Sequence, residues 1–340
     1  MSIDKSLIAH NPVFILASER SGTNLLRRRL TESQSTVFGP APIHILKHLH
    51  YAEPYYGKLE DDVNFYALID DALSLVYKHF SPWDISLSRE QVLNAYTTIF
   101  PRRRCVIGVM HVLYTMYARC KGYNTYLCKD NNLFDFACEI HQKLPDARFI
   151  YLYRDPRDVV LSQLKRPTQV KNIHYLAQLW KEEQIKCIHA HAELEGVHLS
   201  KSISYETLIS DEERTIRNLC QWLNLEVTNK PRTAFQENID IHEWKNLDSP
   251  TIKNNKDKYM TEFSQGDIAK IEACVWYQMK WLGFTPIHAS RPEYFRLKKY
   301  GEIITAKFLH YVKGKFGRNY LTDGQLTRSE ALTAIRKKWT

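Results

Sequence analysis

Pro12-Val-Phe-Ile-Leu-Ala-Ser-Glu-Arg-Ser-Gly-Thr-Asn-Leu-Leu26 opens the legible part of the chain. A short apolar run of strand formers passes into a small polar loop, and then into Leu25, Leu26 and Leu30 spaced around three arginines, so the stretch reads as buried strand, loop and amphipathic helix. The pattern recurs downstream. Arg148-Phe-Ile-Tyr-Leu-Tyr153 reads as a strand and Arg154-Asp-Pro-Arg-Asp-Val-Val-Leu-Ser-Gln-Leu-Lys165 as the helix after it, with Asp155 suited to cap that helix and Pro156 at its first position. The runs 36–38, 105–110, 126–128 and 197–205 read as further strands, while residues 60–80 and 133–144, and a face formed by Ile216, Leu219, Trp222 and Leu223, have helical spacing. Strands alternating with helices predict an α/β fold with a largely parallel sheet.

The chain of 340 residues carries 47 Lys and Arg against 38 Asp and Glu, a net +9 that invites a nucleic-acid or membrane partner. The excess is local. Residues 291–340 hold twelve basic and four acidic side chains, a net +8, which leaves +1 for the first 290. A body that near neutrality is not a general polyanion-binding surface, and no nucleic-acid partner is expected. Residues 1–290 are expected to form one α/β domain and residues 291–340 a basic helical extension. In that extension Leu297, Tyr300, Ile304, Phe308 and Tyr311 recur at helical spacing among Lys298, Lys299, Lys307 and Lys313. This describes either a terminal helix packed on the body, or a surface for an acidic membrane or anionic polymer, whose deletion should weaken membrane or polymer binding while sparing any ligand held by the body.

The N-terminal apolar run is too short for a signal peptide, Asp4 precedes it, and no stretch approaches the roughly 18 apolar residues of a membrane span, so a cytoplasmic protein is expected, at most peripheral at a membrane. Seven cysteines, an odd number with no C-x-x-C pair, read as buried free thiols without a disulfide framework or structural metal.

In an open parallel sheet, ligands sit beyond the carboxyl ends of the strands. The loop Glu19-Arg-Ser-Gly-Thr-Asn24 combines small residues, which let backbone N–H groups approach an anion, with a fixed cation and a helix N-terminus. It is not a Walker A loop, because Ala17 stands where the first Gly belongs and Thr23 where the Lys belongs. The second loop places Arg154 at a strand end and Ser162 two turns into the next helix, groups that can together grip a phosphate.

These two loops together resemble the PAPS-dependent sulfotransferases, in particular the branch containing the tyrosylprotein sulfotransferases and many bacterial enzymes. Residues 18–26 resemble that family's P-[RK]-S-G-T-[TS]-x-L loop, Leu127-Cys-Lys-Asp-Asn131 is similar to its [EN]-K-[TD]-P segment, and residues 144–162 match its block running from F-P-x to R-[DN]-P-R-D-x-x-x-S. The resemblance spans about residues 12 to 285. It implies a P-loop-like three-layer fold and a sulfuryl transfer from 3′-phosphoadenosine-5′-phosphosulfate (PAPS), releasing adenosine 3′,5′-bisphosphate and needing no metal. By the same resemblance Arg20, Ser21, Gly22, Thr23 and Asn24 hold the 5′-phosphosulfate, Arg154 and Ser162 the 3′-phosphate, Tyr205 of Ser204-Tyr-Glu-Thr-Leu208 the adenine, and Lys258 a late basic segment closing over the 3′-phosphate.

The departures are equally specific. Glu19 replaces a Pro and sets a carboxylate beside the expected anion, where it repels unless turned away or paired; Asn131 replaces the Pro after the Lys-Asp segment; Pro40 stands where the family carries its usual catalytic Glu. Arg20 and Lys129 are the expected cations on the transferring group. The base is sought among His44, His48 and His111, with His44 first. The acceptor hydroxyl remains open, a carbohydrate, lipid or small metabolite being favoured over peptide tyrosine, and Tyr51, Tyr55, Tyr56, Trp83, Tyr96, Tyr114, Tyr117 and Tyr123 supply aromatic surface. Two other classes stand against this reading: a nucleotide-dependent kinase, which needs the absent P-loop Lys, and a non-enzymatic basic binder of membranes or polyanions, supported by the tail alone.

Overall fold

The computed structural model describes residues 11–228, 251–289, 291–292, 297–316 and 322–339. In chain order the elements are β1 (Val13–Leu16), α1 (Thr23–Glu32), β2 (Val37–Phe38), α2 (Ile45–Leu49), α3 (Asp62–Tyr77), α4 (Arg89–Ile99), α5 (Val106–Cys120), β3 (Thr125–Cys128), α6 (Ala137–Lys143), β4 (Arg148–Tyr153), α7 (Pro156–Leu164), α8 (Ile173–Glu195), β5 (Ser200–Ser204), α9 (Tyr205–Ser210), α10 (Glu212–Trp222), α11 (Tyr259–Glu262), α12 (Gln265–Trp281), α13 (Leu297–Phe316) and α14 (Asp323–Arg336).

Five strands pair in the order β2-β3-β1-β4-β5, every described pairing parallel. The pleat divides the core. Phe14 and Leu16 of β1 face a large apolar cluster that takes in α3, α5, α8 and α12, while Val13 and Ile15 face a smaller one with α1, α9 and α10. The three-layer α/β fold is thus as expected. From β1 the chain crosses toward β2, and from β4 it crosses to β5, so these adjacent strands send their chains in opposite directions. Their carboxyl ends form the crevice where such sheets bind ligands.

Two expectations need correction. Residues 105–110 are not a strand: Cys105 caps α5, its thiol accepting from the Gly108 N–H at 3.3 Å, and the apolar run continues as buried helix to Ala118. A short apolar run buried on all sides carries no periodicity that separates strand from helix. The exposed Cys120 and Cys138 also depart from the buried-thiol reading, whereas Cys105, Cys128, Cys187 and Cys220 follow it.

The basic tail divides into two helices of opposite habit. α13 lays Lys307 over the Tyr175 ring at 4.9 Å and leaves Ile304, Phe308, Leu309 and Tyr311 exposed. Asp4, Arg296 and Arg318 lie outside the described residues, as do the side chains of Leu297, Lys298, Lys299, Tyr300 and Lys313. α14, by contrast, packs against α3 and is anchored by buried Arg328, which donates to the Leu75 and Ile43 carbonyls, each at 2.6 Å. Lys338 pairs with Asp71 at 2.5 Å, and Trp339 lies against Tyr55 and Tyr56. Deleting residues 291–340 as a separable appendage would therefore open the core. No described helix is long and apolar enough to cross a membrane.

Replacing Arg328 by Met strands two buried carbonyls, at a cost of about 1–3 kcal/mol each. Chemical denaturation of Arg328→Met is expected to show this loss, and an unchanged midpoint would show that α14 is not integral.

Candidate functional site

The loop after β1 is shaped by backbone sterics. Arg20 (φ 72°) and Gly22 (φ 91°) both lie in the left-handed region, which turns successive N–H groups to one side and makes an anion-binding concavity at the start of α1. Such a conformation costs a non-glycine residue about 1–3 kcal/mol and persists only where its surroundings hold it. Here the hold is explicit. The Ser18 and Ser21 hydroxyls meet at 2.9 Å, Gln184 of α8 donates to Ser18 at 2.9 Å, and Tyr151 of β4 donates to Gln184 at 2.5 Å.

Arg154, at the end of β4, ties the two loops together. It donates to the Arg20 carbonyl at 3.1 Å and to the Asn255 carbonyl at 3.1 Å, and its guanidinium lies 4.2 Å from the Tyr205 ring centre. Its Nε is buried and unpartnered. Arg20 Nε donates to Ser162 Oγ at 2.9 Å. The structure thus gathers Arg20, Ser21, Gly22, Arg154, Ser162 and Tyr205 at one crevice, with Thr23 and Asn24 opening α1 beside them. Gly22 is required twice over, by its φ and because an added Cβ would lie 2.2 Å from the Tyr205 ring.

Lys258 is exposed, and the residue of its segment that reaches the crevice is Asn255, whose amide donates to the Tyr205 hydroxyl at 2.6 Å. The segment is fastened by buried Asp158 of α7, which accepts from the Asp257 and Tyr259 backbone N–H groups at 2.8 and 3.3 Å. Neighbouring Arg157 bridges Asp155 and Glu272 at 2.6 and 2.7 Å and faces away into packing.

A second cluster stands at the ends of β1 and β3. Lys129 donates to Asn131 at 3.1 Å, Asn131 donates to one oxygen of Glu19 at 2.6 Å, and Arg166 pairs with the other at 2.6 Å. Burial would raise the Glu19 carboxyl's pKa, but Arg166, Lys47 and Lys129 outweigh it and hold the group below its ordinary value. The unusual carboxylate beside the loop is therefore ionised, paired and held by two donors. Burial lowers Lys129 to about 8 despite the neighbouring Glu19 charge.

The histidines are constrained. His44, in the left-handed region at φ 63°, accepts the Asn131 backbone N–H on Nδ1 at 3.0 Å. Burial, followed by the Lys129 charge, puts its pKa well below the usual value. The neutral ring then carries its proton on Nε2, which can act only as a donor. His48 is lowered to about 3 by burial and by Arg328, Lys47 and Arg336, and it lines a small cavity of about 110 Å³ with Lys47, Leu332, Ile335, Arg336 and Trp339. His111 is buried on α5 with Nδ1 2.9 Å from the Tyr126 hydroxyl. Of the aromatic residues between 51 and 123 named above, only Tyr51 and Tyr55 are exposed; Tyr56, Trp83, Tyr96, Tyr114, Tyr117 and Tyr123 are core.

Sequence reading did not single out Asn255, Arg166, Lys47 or Glu183. The last was visible in outline, since Trp180, Gln184, Cys187 and His191 form the buried stripe of α8 and Glu183 lies at its edge.

A parallel sheet with arginine-bearing loops at its switch point is an α/β arrangement suited to holding an anion. The sulfotransferase family model matches residues 12–229, and the chain belongs to that family. Among solved structures it is similar to the sulfotransferase domain of the Synechococcus PCC 7002 olefin synthase, at 18% identity over 88% of this chain and 95% of that one, with a TM-score of 0.42. The sulfotransferase domain from the curacin biosynthetic pathway gives 16% identity, 89% and 98% coverage and a TM-score of 0.45. A sulfotransferase from Alicyclobacillus acidocaldarius gives 16%, 79% and 97%, and 0.40. No curated protein matches.

Gly22→Ala is expected to displace Tyr205 and the Arg20 turn. The measurement is thermal unfolding together with adenosine 3′,5′-bisphosphate titration: both should weaken in the variant, and wild-type values for both would mean that the tight glycine contact is not needed.

Proposed function

We propose that the protein transfers a sulfuryl group from PAPS to an acceptor hydroxyl. The observation that carries this reading is the Arg154 guanidinium, fixed between two loops and an aromatic ring with Nε still unsatisfied. A buried donor without a partner costs free energy until an anion takes it. The residues fit a nucleotide carrying a phosphate at each end. Arg154 and Ser162 would hold the 3′-phosphate, the Arg20-to-Asn24 turn the 5′-phosphosulfate, and Tyr205, steadied by Asn255, the adenine. The donor supplies an activated sulfuryl group, and the chain supplies position and charge.

Arg20, Lys129 and the Nε2–H of His44 are the groups that would face negative charge on the transferring oxygens. His44 thereby moves from proton acceptor, its role in the sequence reading, to hydrogen-bond donor, since Asn131 already occupies its Nδ1 lone pair. Glu19 does not oppose the donor, because Arg166 and Asn131 hold both of its oxygens. Exposed Tyr51 suits a ring-bearing acceptor, such as a sugar or small aromatic metabolite.

Calorimetric titration with adenosine 3′,5′-bisphosphate tests the reading. Arg154→Ala should weaken binding by about 100-fold, the loss of two charge-assisted bonds. Equal affinity would reject the assignment. Because the folded pKa of Lys129 is lowered to about 8, its charge is complete below that pH and lost as pH rises through it. Affinity should therefore fall above about pH 8, and Lys129→Met should reduce that dependence.

A further inference from the structure

With His44 acting as a donor, His48 in a cationic cavity and His111 in the core, none of these three histidines is placed to take the proton of the acceptor hydroxyl. We propose that Glu183 of α8 takes it, acting as the general base of the transfer; the proposal rests on the sulfuryl-transfer reading above.

Three observations converge on this side chain. First, the backbone N–H of Glu19, the residue immediately before Arg20, is among the groups that act on its carboxyl, so it lies near the loop that would hold the transferring group. Second, one of its oxygens, Oε2, is shut off from solvent and has no hydrogen-bond partner. A carboxyl oxygen left in that state is costly: Glu272 avoids it by accepting from three backbone N–H groups and Arg157, and Asp130 by accepting from Ile43, Ile45 and Tyr114, whereas Glu206, beside the Asp155 turn, shares it with Glu183. Third, the next residue, Gln184, is hydrogen-bonded to Ser18 at 2.9 Å, so this part of α8 is pinned to the loop.

The electrostatic setting suits the role. The charged groups that act on Glu183 are Glu19 from the loop after β1, Lys47 from α2 and Asp135 from the segment before α6. Burial, then the Glu19 charge, raises its pKa to about 8. Two adjacent carboxyls thus part company, Glu19 ionised by its cations and Glu183 ready to gain or lose a proton near neutrality, which is how acid and base roles are separated in active sites.

In the step, ionised Glu183 accepts the hydroxyl proton while the acceptor oxygen forms its bond to sulfur. The bond from sulfur to the 5′-phosphate oxygen breaks, and its electron pair leaves with adenosine 3′,5′-bisphosphate. Glu183 ends neutral and returns the proton to solvent, so charge and protons balance. As its pKa is raised, the ionised form gains population as pH rises towards about 8, so turnover should climb on that limb and fall again above it as Lys129 loses its charge.

Glu183→Gln preserves volume and keeps one acceptor oxygen. It should bind adenosine 3′,5′-bisphosphate like the wild type, yet release it from PAPS about 100-fold more slowly with water or simple alcohols as acceptors, and without the rising pH limb. Infrared titration gives an activity-independent arm: a protonated-carboxyl band lost near pH 8 in the wild type should be missing from the variant. Wild-type turnover and pH profile in Glu183→Gln would overturn the proposal, as would persistence of that band. A wild-type protein that fails to bind adenosine 3′,5′-bisphosphate would instead remove the parent reading, leaving the infrared arm to report on Glu183 itself.

Discussion

The left-handed turn at Arg20 is a strained conformation, and the architecture around it is arranged so that it cannot relax. Arg154 grips the Arg20 carbonyl from the neighbouring strand, Ser162 takes the Arg20 side chain, and Tyr205 fills the space that only a glycine at position 22 leaves open. These partners arrive from β4, α7 and α9, separated from Arg20 by more than a hundred residues of chain, and the parallel sheet delivers them to one edge. A loop of small residues is thereby held in advance as an anion site, which places the cost of ordering it in folding rather than in binding.

Charge is handled by the same economy. Glu19 acts on both Glu183 and Lys129, and all three groups are moved off their ordinary pKa values: Glu19 down, Glu183 up, Lys129 down. Arg166 contributes to this division by keeping Glu19 ionised, and the Glu19 charge, after burial, is what raises Glu183. Among the described basic residues of the C-terminal segment, Arg328, Lys338 and Arg336 serve the packing of α14 and the cavity beside α2.

Much of this was legible beforehand because it depends on short-range chemistry. The strands flanking residues 18–24 and 154–162, the Asp155 cap and the Pro156 start are decided by residues within a few positions of one another. What escaped reading depends on distant partners. Arg166 is one more basic residue after a helix until Glu19 is seen opposite it, and Lys258 was chosen over Asn255 because charge is visible in a sequence and a hydrogen bond to Tyr205 is not. Residues 105–110 misled because an all-apolar run has no face, and α14 went unnoticed because its key contact is a buried arginine, a residue type that composition assigns to the surface.

The proposed function requires that the crevice between β1 and β4 recognise a nucleotide with phosphate at both ends, using Arg154 for the one distant from the transferred group. The most direct test compares the wild-type protein's affinity for adenosine 3′,5′-bisphosphate with that for adenosine 5′-monophosphate, which lacks only the 3′-phosphate. A preference of about 100-fold for the bisphosphate is expected, the worth of a buried charge-assisted contact. Equal affinity for the two nucleotides, or none for either, would contradict it.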